Sequence, residues 1–142
     1  MTEHETTSPE ETEALAAALA GRLVVGDLVT VAGELGSGKT TFVRGAARAL
    51  GVTEPVTSPT FTVGALYTGT QGRVAHLDLY RLDGGLAGED PGLLADYVTP
   101  ETIAFVEWPE RAEAGSLPAI VLEVTLDHRG GDRREVTLEW AR

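Results

Sequence analysis

The 142-residue chain contains no cysteine, so neither a disulfide nor a thiolate metal site can form in it. Asparagine is also absent, and there is a single lysine, Lys39. Basic side chains are scarce: 11 Lys and Arg stand against 22 Asp and Glu, for a formal net charge of −11. That balance excludes a free-standing nucleic-acid binder, which needs a basic face to neutralise phosphates. It permits contact with RNA as one member of a complex, and it would steer a basic protein partner toward this surface. No apolar run approaches the roughly 20 residues of a membrane span. The opening Met1-Thr2-Glu3-His4-Glu5 is acidic and lacks the apolar core of an export signal, so the expectation is a cytoplasmic protein without membrane contact. Neither an internal repeat nor a long linker divides the chain. A hydrophobic fraction of 42% and this length suit one globular domain over residues 1–142.

What is present centres on Gly33-Glu34-Leu35-Gly36-Ser37-Gly38-Lys39-Thr40, which fits G-x-x-x-x-G-K-S/T, the phosphate-cradling loop of P-loop NTPases. Leu28 to Ala32 run in as a short apolar strand, and Thr41 to Leu50 run out with helical spacing. In such a loop the backbone N–H groups of residues 36–41 face phosphate oxygens, and the following helix adds its positive end. Gly36 and Gly38 permit close approach and positive φ, and the Thr40 hydroxyl is placed for Mg²⁺. Every other basic side chain is arginine; the one lysine stands where a compact ammonium on a flexible stem must reach the β- and γ-phosphates. A dinucleotide loop, G-x-G-x-x-G/A, would need Gly or Ala at position 41, which is Thr41.

Around this loop the chain reads as alternating elements. An edge strand is expected near His4 to Thr7. A helix follows, with Ser8 as N-cap, Pro9 in its first turn and Glu11 completing a capping box; it carries Leu15, Ala18, Leu19 and Arg22 and ends near Gly21. The helix after the loop packs Phe42, Val43, Ala46, Ala47 and Leu50, shows Arg44 and Arg48 to solvent, and stops at Gly51. A segment through Tyr67 and the strand Val74 to Tyr80 form a hairpin. Residues 83–92 are Gly- and Asp-rich and read as a mobile loop, followed by a short helix from Pro91 to Tyr97. Thr102 to Pro109 has the continuous apolar character of a buried parallel strand. Ile120 to Leu126 and Val136 to Trp140 alternate across the turn 127–132 as an antiparallel hairpin. The fold class expected is α/β: a P-loop NTPase-like mixed sheet flanked by helices, ending in an antiparallel hairpin.

Two acids sit at the carboxyl ends of apolar strands. Asp78 is a candidate Mg²⁺-holding acid, with capping of the next turn as the alternative. Glu107 is delivered to the edge of the sheet by its strand, with capping of the Pro109-Glu110-Arg111 turn as the alternative. His76, two residues before Asp78, reads as a packed or edge histidine rather than a ligand.

Four segments together resemble one family: Gly33 to Thr41, Ser58-Pro59-Thr60-Phe61-Thr62, His76-Leu77-Asp78-Leu79-Tyr80-Arg81-Leu82, and Val106-Glu107-Trp108-Pro109-Glu110-Arg111. Their order and spacing are similar to the TsaE (YjeE) family, and the resemblance covers nearly the whole chain. It implies a small ATPase working with the TsaB and TsaD proteins in making threonylcarbamoyladenosine beside the tRNA anticodon. It implies contact with tRNA only through that complex, and weak hydrolysis alone that resets the complex between turnovers. Carried onto this sequence, Lys39 and the loop Gly33, Glu34, Leu35, Gly36, Ser37, Gly38, Thr40 and Thr41 would bind ATP phosphates. Thr40 and Glu107 resemble Mg²⁺ contacts, and Asp78 resembles the acid needed for hydrolysis. Ser58, Pro59 and Thr60 resemble a first switch segment, and Asp78, Tyr80 and Arg81 a second. Trp108 would lie near the nucleotide, with Thr12 and Arg133 bordering the base. Departures from the family pattern are Glu34 and Ser37, where Asp and Ala are usual, and the glycines at 84, 85 and 88, where an acidic Leu-rich helix is usual.

A small-molecule P-loop kinase would use the same loop but needs an arginine-bearing lid, for which only the arginines near 129–134 are placed. A GTPase is excluded, since its guanine-reading Asn-Lys-x-Asp motif requires an asparagine. A nucleotide-dependent assembly module with incidental hydrolysis is the non-enzymatic alternative.

Overall fold

A computed structural model describes residues 1–57, 64–80, 93–112 and 117–142. The expected Ser58, Pro59 and Thr60 switch, Arg81 and the loop 83–92 lie outside the described residues. In chain order the elements are β1 (Thr2–Thr6), α1 (Pro9–Ala20), β2 (Leu28–Gly33), α2 (Lys39–Ala49), β3 (Gly64–Thr68), β4 (Arg73–Asp78), α3 (Leu93–Tyr97), β5 (Thr102–Glu107), β6 (Leu122–His128) and β7 (Arg134–Trp140). The described strands form one sheet in the order β1-β7-β6-β2-β5-β4-β3. Strand β2 lies parallel to both β5 and β6, and β4 is parallel to β5. The β3–β4, β6–β7 and β1–β7 pairs are antiparallel.

The composition of each strand explains its place. All six residues of β5 are buried, as a central parallel strand covered on both faces requires. Strand β6 alternates Leu122, Val124 and Leu126 inward with Glu123 and Thr125 outward, as expected for a hairpin with one covered face. One core lies between the sheet and helices α1 and α2, built on Val29, Val31, Phe105, Val124, Phe42 and Val43. The opposite face carries Leu28, Ala75, Leu77, Leu79, Ala104 and Val106, partly covered by Leu94 and Tyr97 of α3.

Helix α1 differs from its sequence reading in two respects. Ser8 caps it as expected, its Oγ accepting from the Glu11 N–H at 3.1 Å. The Glu11 carboxylate, however, returns one residue earlier, accepting from the Thr7 N–H at 3.0 Å and the Thr7 hydroxyl at 2.8 Å. The fully buried stripe is Thr12, Ala16 and Ala20, and Leu15 and Leu19 only flank it. The reason is the proximity of α2: a Cβ built at Gly45 would lie 2.4 Å from the Glu13 carbonyl oxygen. Small residues face this crossing because larger ones would push the helices apart. A Gly45→Ala substitution therefore forces backbone displacement and is expected to destabilise by about 2–3 kcal/mol, as overpacked cores do. Urea denaturation followed by circular dichroism would read the loss, and an unchanged midpoint would refute this account of the crossing.

Candidate nucleotide-binding site

The glycine loop leaves the carboxyl end of β2 and enters α2 directly. Gly33 sits so tightly that a Cβ would meet Ser37 Oγ at 2.5 Å and the Leu126 carbonyl oxygen at 2.6 Å. Gly38, with φ +98°, is the N-cap of α2 and brings no side chain to cover the helix's positive end. Lys39, 5% exposed, folds back over the loop. Its Nζ donates to the carbonyl oxygens of Gly33 and Glu34, both at 2.7 Å. Burial holds this ammonium below the ordinary lysine range, opposed by the negative charges of Glu107, Asp78, Glu110 and Glu34. A phosphate oxyanion placed against Nζ would offset that desolvation.

Register places the acids. Val31 of β2 pairs with Glu107 of β5, and Glu107 pairs with Asp78 of β4. Parallel partners point to the same face, so both carboxylates lie on the side where α2 begins. The Thr40 hydroxyl donates to Glu107, 2.9 Å from Oε2 and 3.2 Å from Oε1. Glu107 is 2% exposed and also accepts from His76 Nε2 at 2.5 Å. Its carboxylate is thus engaged with the P-loop threonine rather than with the Pro109–Arg111 turn, the other role its position allowed. Asp78 is partly exposed and accepts the Tyr80 N–H on Oδ1 at 3.1 Å, so the turn-capping role is filled as well.

A hydroxyl and two carboxylates are hard oxygen donors, the chemistry Mg²⁺ requires. Among the described residues no group of three or more His, Cys, Asp or Glu could hold a metal. Few protein ligands are what a Mg²⁺ carried mainly by nucleotide phosphates and water needs, so the residues present fit that ion.

Trp108 covers the lysine. It precedes Pro109, which disfavours the right-handed helical region, and it adopts φ 59°, ψ 52°. Among the described residues it is the one non-glycine with positive φ. Such backbone costs on the order of 1–3 kcal/mol and persists where surroundings enforce it. Here the Trp108 N–H donates to the Val31 carbonyl at 3.3 Å, and Lys39 Nζ lies 4.2 Å from the centre of the Trp108 ring. Tyr80 packs against the Trp108 ring, with centroids 4.9 Å apart and the planes tilted by 44°.

Beside the loop, a shallow cleft is lined by Pro9, Thr12, Gly38, Thr41, Asp132 and Arg134. Thr12 is buried there, its hydroxyl 2.7 Å from that of Thr6. Arg133 turns outward to Glu5 at 3.1 Å, with both side chains more than half exposed. Its neighbour Arg134, not singled out by sequence, reaches the loop: Nε donates to the Ser37 carbonyl at 3.0 Å and a terminal nitrogen to the Gly36 carbonyl at 2.9 Å. The arginines a kinase lid would need are thus committed, Arg129 to Glu135 and Arg134 to the P-loop backbone. Nothing local marked Arg134, because its contact joins positions 97 residues apart. His76 had a visible signal, its two-residue spacing from Asp78, which puts both on one face of β4.

Comparison with known proteins adds to this geometry. A family model described as threonylcarbamoyl adenosine biosynthesis protein TsaE matches residues 6–136. The chain is 39% identical over 132 residues to the tRNA threonylcarbamoyladenosine biosynthesis protein TsaE of Bacillus subtilis, covering 93% of this chain and 81% of that protein. The TsaE of Streptomyces coelicolor is 40% identical over 116 residues, covering 80% and 77% respectively. The crystal structure of YdiB from Bacillus subtilis superimposes with a TM-score of 0.80 at 33% identity, covering 99% of this chain and 86% of that one. A family match over residues 6–136, on a sheet that brings Lys39, Thr40, Asp78 and Glu107 to one end, places the chain in the TsaE family.

Proposed function

We propose that this chain binds and hydrolyses ATP as a subunit required for threonylcarbamoyladenosine formation in tRNA, working in the cytoplasm with a TsaB–TsaD complex. The observation that carries the reading is the hydrogen bond from the P-loop Thr40 to the buried Glu107, beside a lysine already turned over the loop. In this reading, backbone N–H groups at the start of α2 and Lys39 bind the β- and γ-phosphates. Thr40 and Glu107 hold Mg²⁺, which when bound neutralises charge on those phosphates. Asp78, partly exposed beside Glu107, orients the water that attacks the γ-phosphorus in line with the leaving oxygen. The cleft lined by Thr12, Thr41, Asp132 and Arg134 receives the adenosine end, and the absence of a guanine-reading motif agrees with adenine. Trp108 and Tyr80 shield the lysine from solvent. Slow hydrolysis by the isolated chain follows if a partner supplies the remaining positive charge.

The test is reconstitution of multiple-turnover tRNA modification with and without this protein, with ATP hydrolysis measured in parallel. Dependence of continued turnover on the protein, and stimulation of its hydrolysis by TsaB–TsaD, are the expected results. Transfer of phosphate to an added metabolite would overturn the reading in favour of a kinase. Full turnover supported by an Asp78→Ala variant that binds ATP and the complex normally would reduce the protein to an assembly module.

A further inference from the structure

His76 is wholly buried, 0% exposed, in the middle of β4. An imidazole there must be hydrogen-bonded to offset its loss of water. Among the described residues it has one hydrogen-bond partner, Glu107: Nε2 meets Oε2, and Nδ1 meets none. A carboxylate only accepts, so in this contact Nε2–H is the donor. Glu107 therefore hangs between two donors, the imidazole from the sheet side and the Thr40 hydroxyl from the helix side. Thr40 is the group that must turn its oxygen toward a cation, so it cannot by itself define where the carboxylate points. His76 can, because both its ring and its strand are held by the core. Val74 precedes it on the same face, and β4 is paired on both edges, to β3 and β5.

We propose that His76 is a positioning residue for the magnesium-side carboxylate: its Nε2–H fixes the orientation of Glu107, and with it the affinity of the nucleotide-bound site for Mg²⁺. The inference rests on the reading of Thr40 and Glu107 as the Mg²⁺ side of a P-loop site. Partners in this outer position typically contribute about 10- to 100-fold in metal affinity. His76→Leu removes the donor while keeping an apolar side chain of similar bulk. His76→Gln places an amide N–H near the position of Nε2.

Affinity for a non-hydrolysable ATP analogue is measured by calorimetry, first in EDTA and then across a MgCl₂ series. In His76→Leu the half-saturating Mg²⁺ is expected to rise about 10- to 100-fold, with affinity in EDTA within about 3-fold of the parent, while His76→Gln recovers most of the loss. A folded His76→Leu with unchanged Mg²⁺ dependence overturns the proposal and makes the histidine a packing residue. Should that variant not fold, the parent protein decides. Long-range ¹H–¹⁵N correlation spectra of its His76 ring are expected to show a protonated Nε2, with resonances that move when Mg²⁺ is added to the nucleotide complex. A bare Nε2, or resonances indifferent to Mg²⁺, overturns it equally. A parent protein whose nucleotide binding ignores Mg²⁺ would instead sink the underlying assignment of Thr40 and Glu107, and the inference with it.

Discussion

A Lys39→Ala variant is expected to lose ATP affinity by a factor between roughly 30 and a few thousand, and to lose hydrolysis with it. The range corresponds to about 2–5 kcal/mol for truncating one partner of a desolvated charge pair. The geometry argues for the upper part of that range. Lys39 is nearly buried, two of its donors are held by the Gly33 and Glu34 carbonyls, and the Trp108 ring closes a further side. No other lysine exists in the chain to substitute for it, and Arg134, which reaches the loop from β7, is occupied by the carbonyls of Gly36 and Ser37. Lys39→Arg is expected to fail almost as completely, although charge is kept. A planar guanidinium does not fit between two carbonyls at 2.7 Å and an aromatic face at 4.2 Å. Equilibrium binding of ATP with thermal melts as a folding control would measure both. Undiminished turnover in either variant would refute the site.

The second large effect separates the two acids. Asp78→Asn is expected to leave ATP affinity within a few-fold and to lower hydrolysis by about 10²- to 10⁴-fold, the range lost with a positioned general base or water-orienting group. Asp78 is partly exposed, and among the described residues its carboxylate accepts the Tyr80 N–H, an exposed contact, so little folding energy depends on its charge. Glu107→Gln should behave differently. It removes a buried carboxylate that accepts from both Thr40 and His76, and an amide can accept from only one side while presenting N–H to the other. Mg²⁺ dependence and stability should both suffer. Parallel measurement of Mg²⁺ half-saturation and single-turnover hydrolysis in the two variants reads the difference. Matching profiles would mean that the roles are shared rather than divided.

How much of this was legible in advance differs element by element. The loop was legible because a glycine-rich turn between strand and helix is a local property, confined to residues that follow one another. Strands β2 and β5 were legible from their apolar runs, and β6–β7 from alternation around a glycine turn. Helix α1 was placed correctly but its buried face was not, because Leu15 and Leu19 are more apolar than the alanines that face α2. The approach of Gly45 to Glu13 overrode that preference. His76 was read as packed, which its burial supports, yet its bond to Glu107 spans 31 positions and required the β4–β5 register.

The sequence by itself determined the chemistry on offer: a glycine loop with the one lysine, two acids at strand ends, no asparagine for guanine recognition and no cysteine for disulfide or metal work. These follow from residue identity and short-range spacing, which need no partner element. Tertiary structure decided which of those groups act together. The contact between Thr40 and Glu107 crosses 67 positions, the clamp of Arg134 on the loop crosses 97, and Trp108 reaches Lys39 only through a left-handed backbone after β5. Each depends on how the strands of the sheet are ordered and aligned. Those quantities are set by the packing of the whole sheet, and no window of sequence contains them.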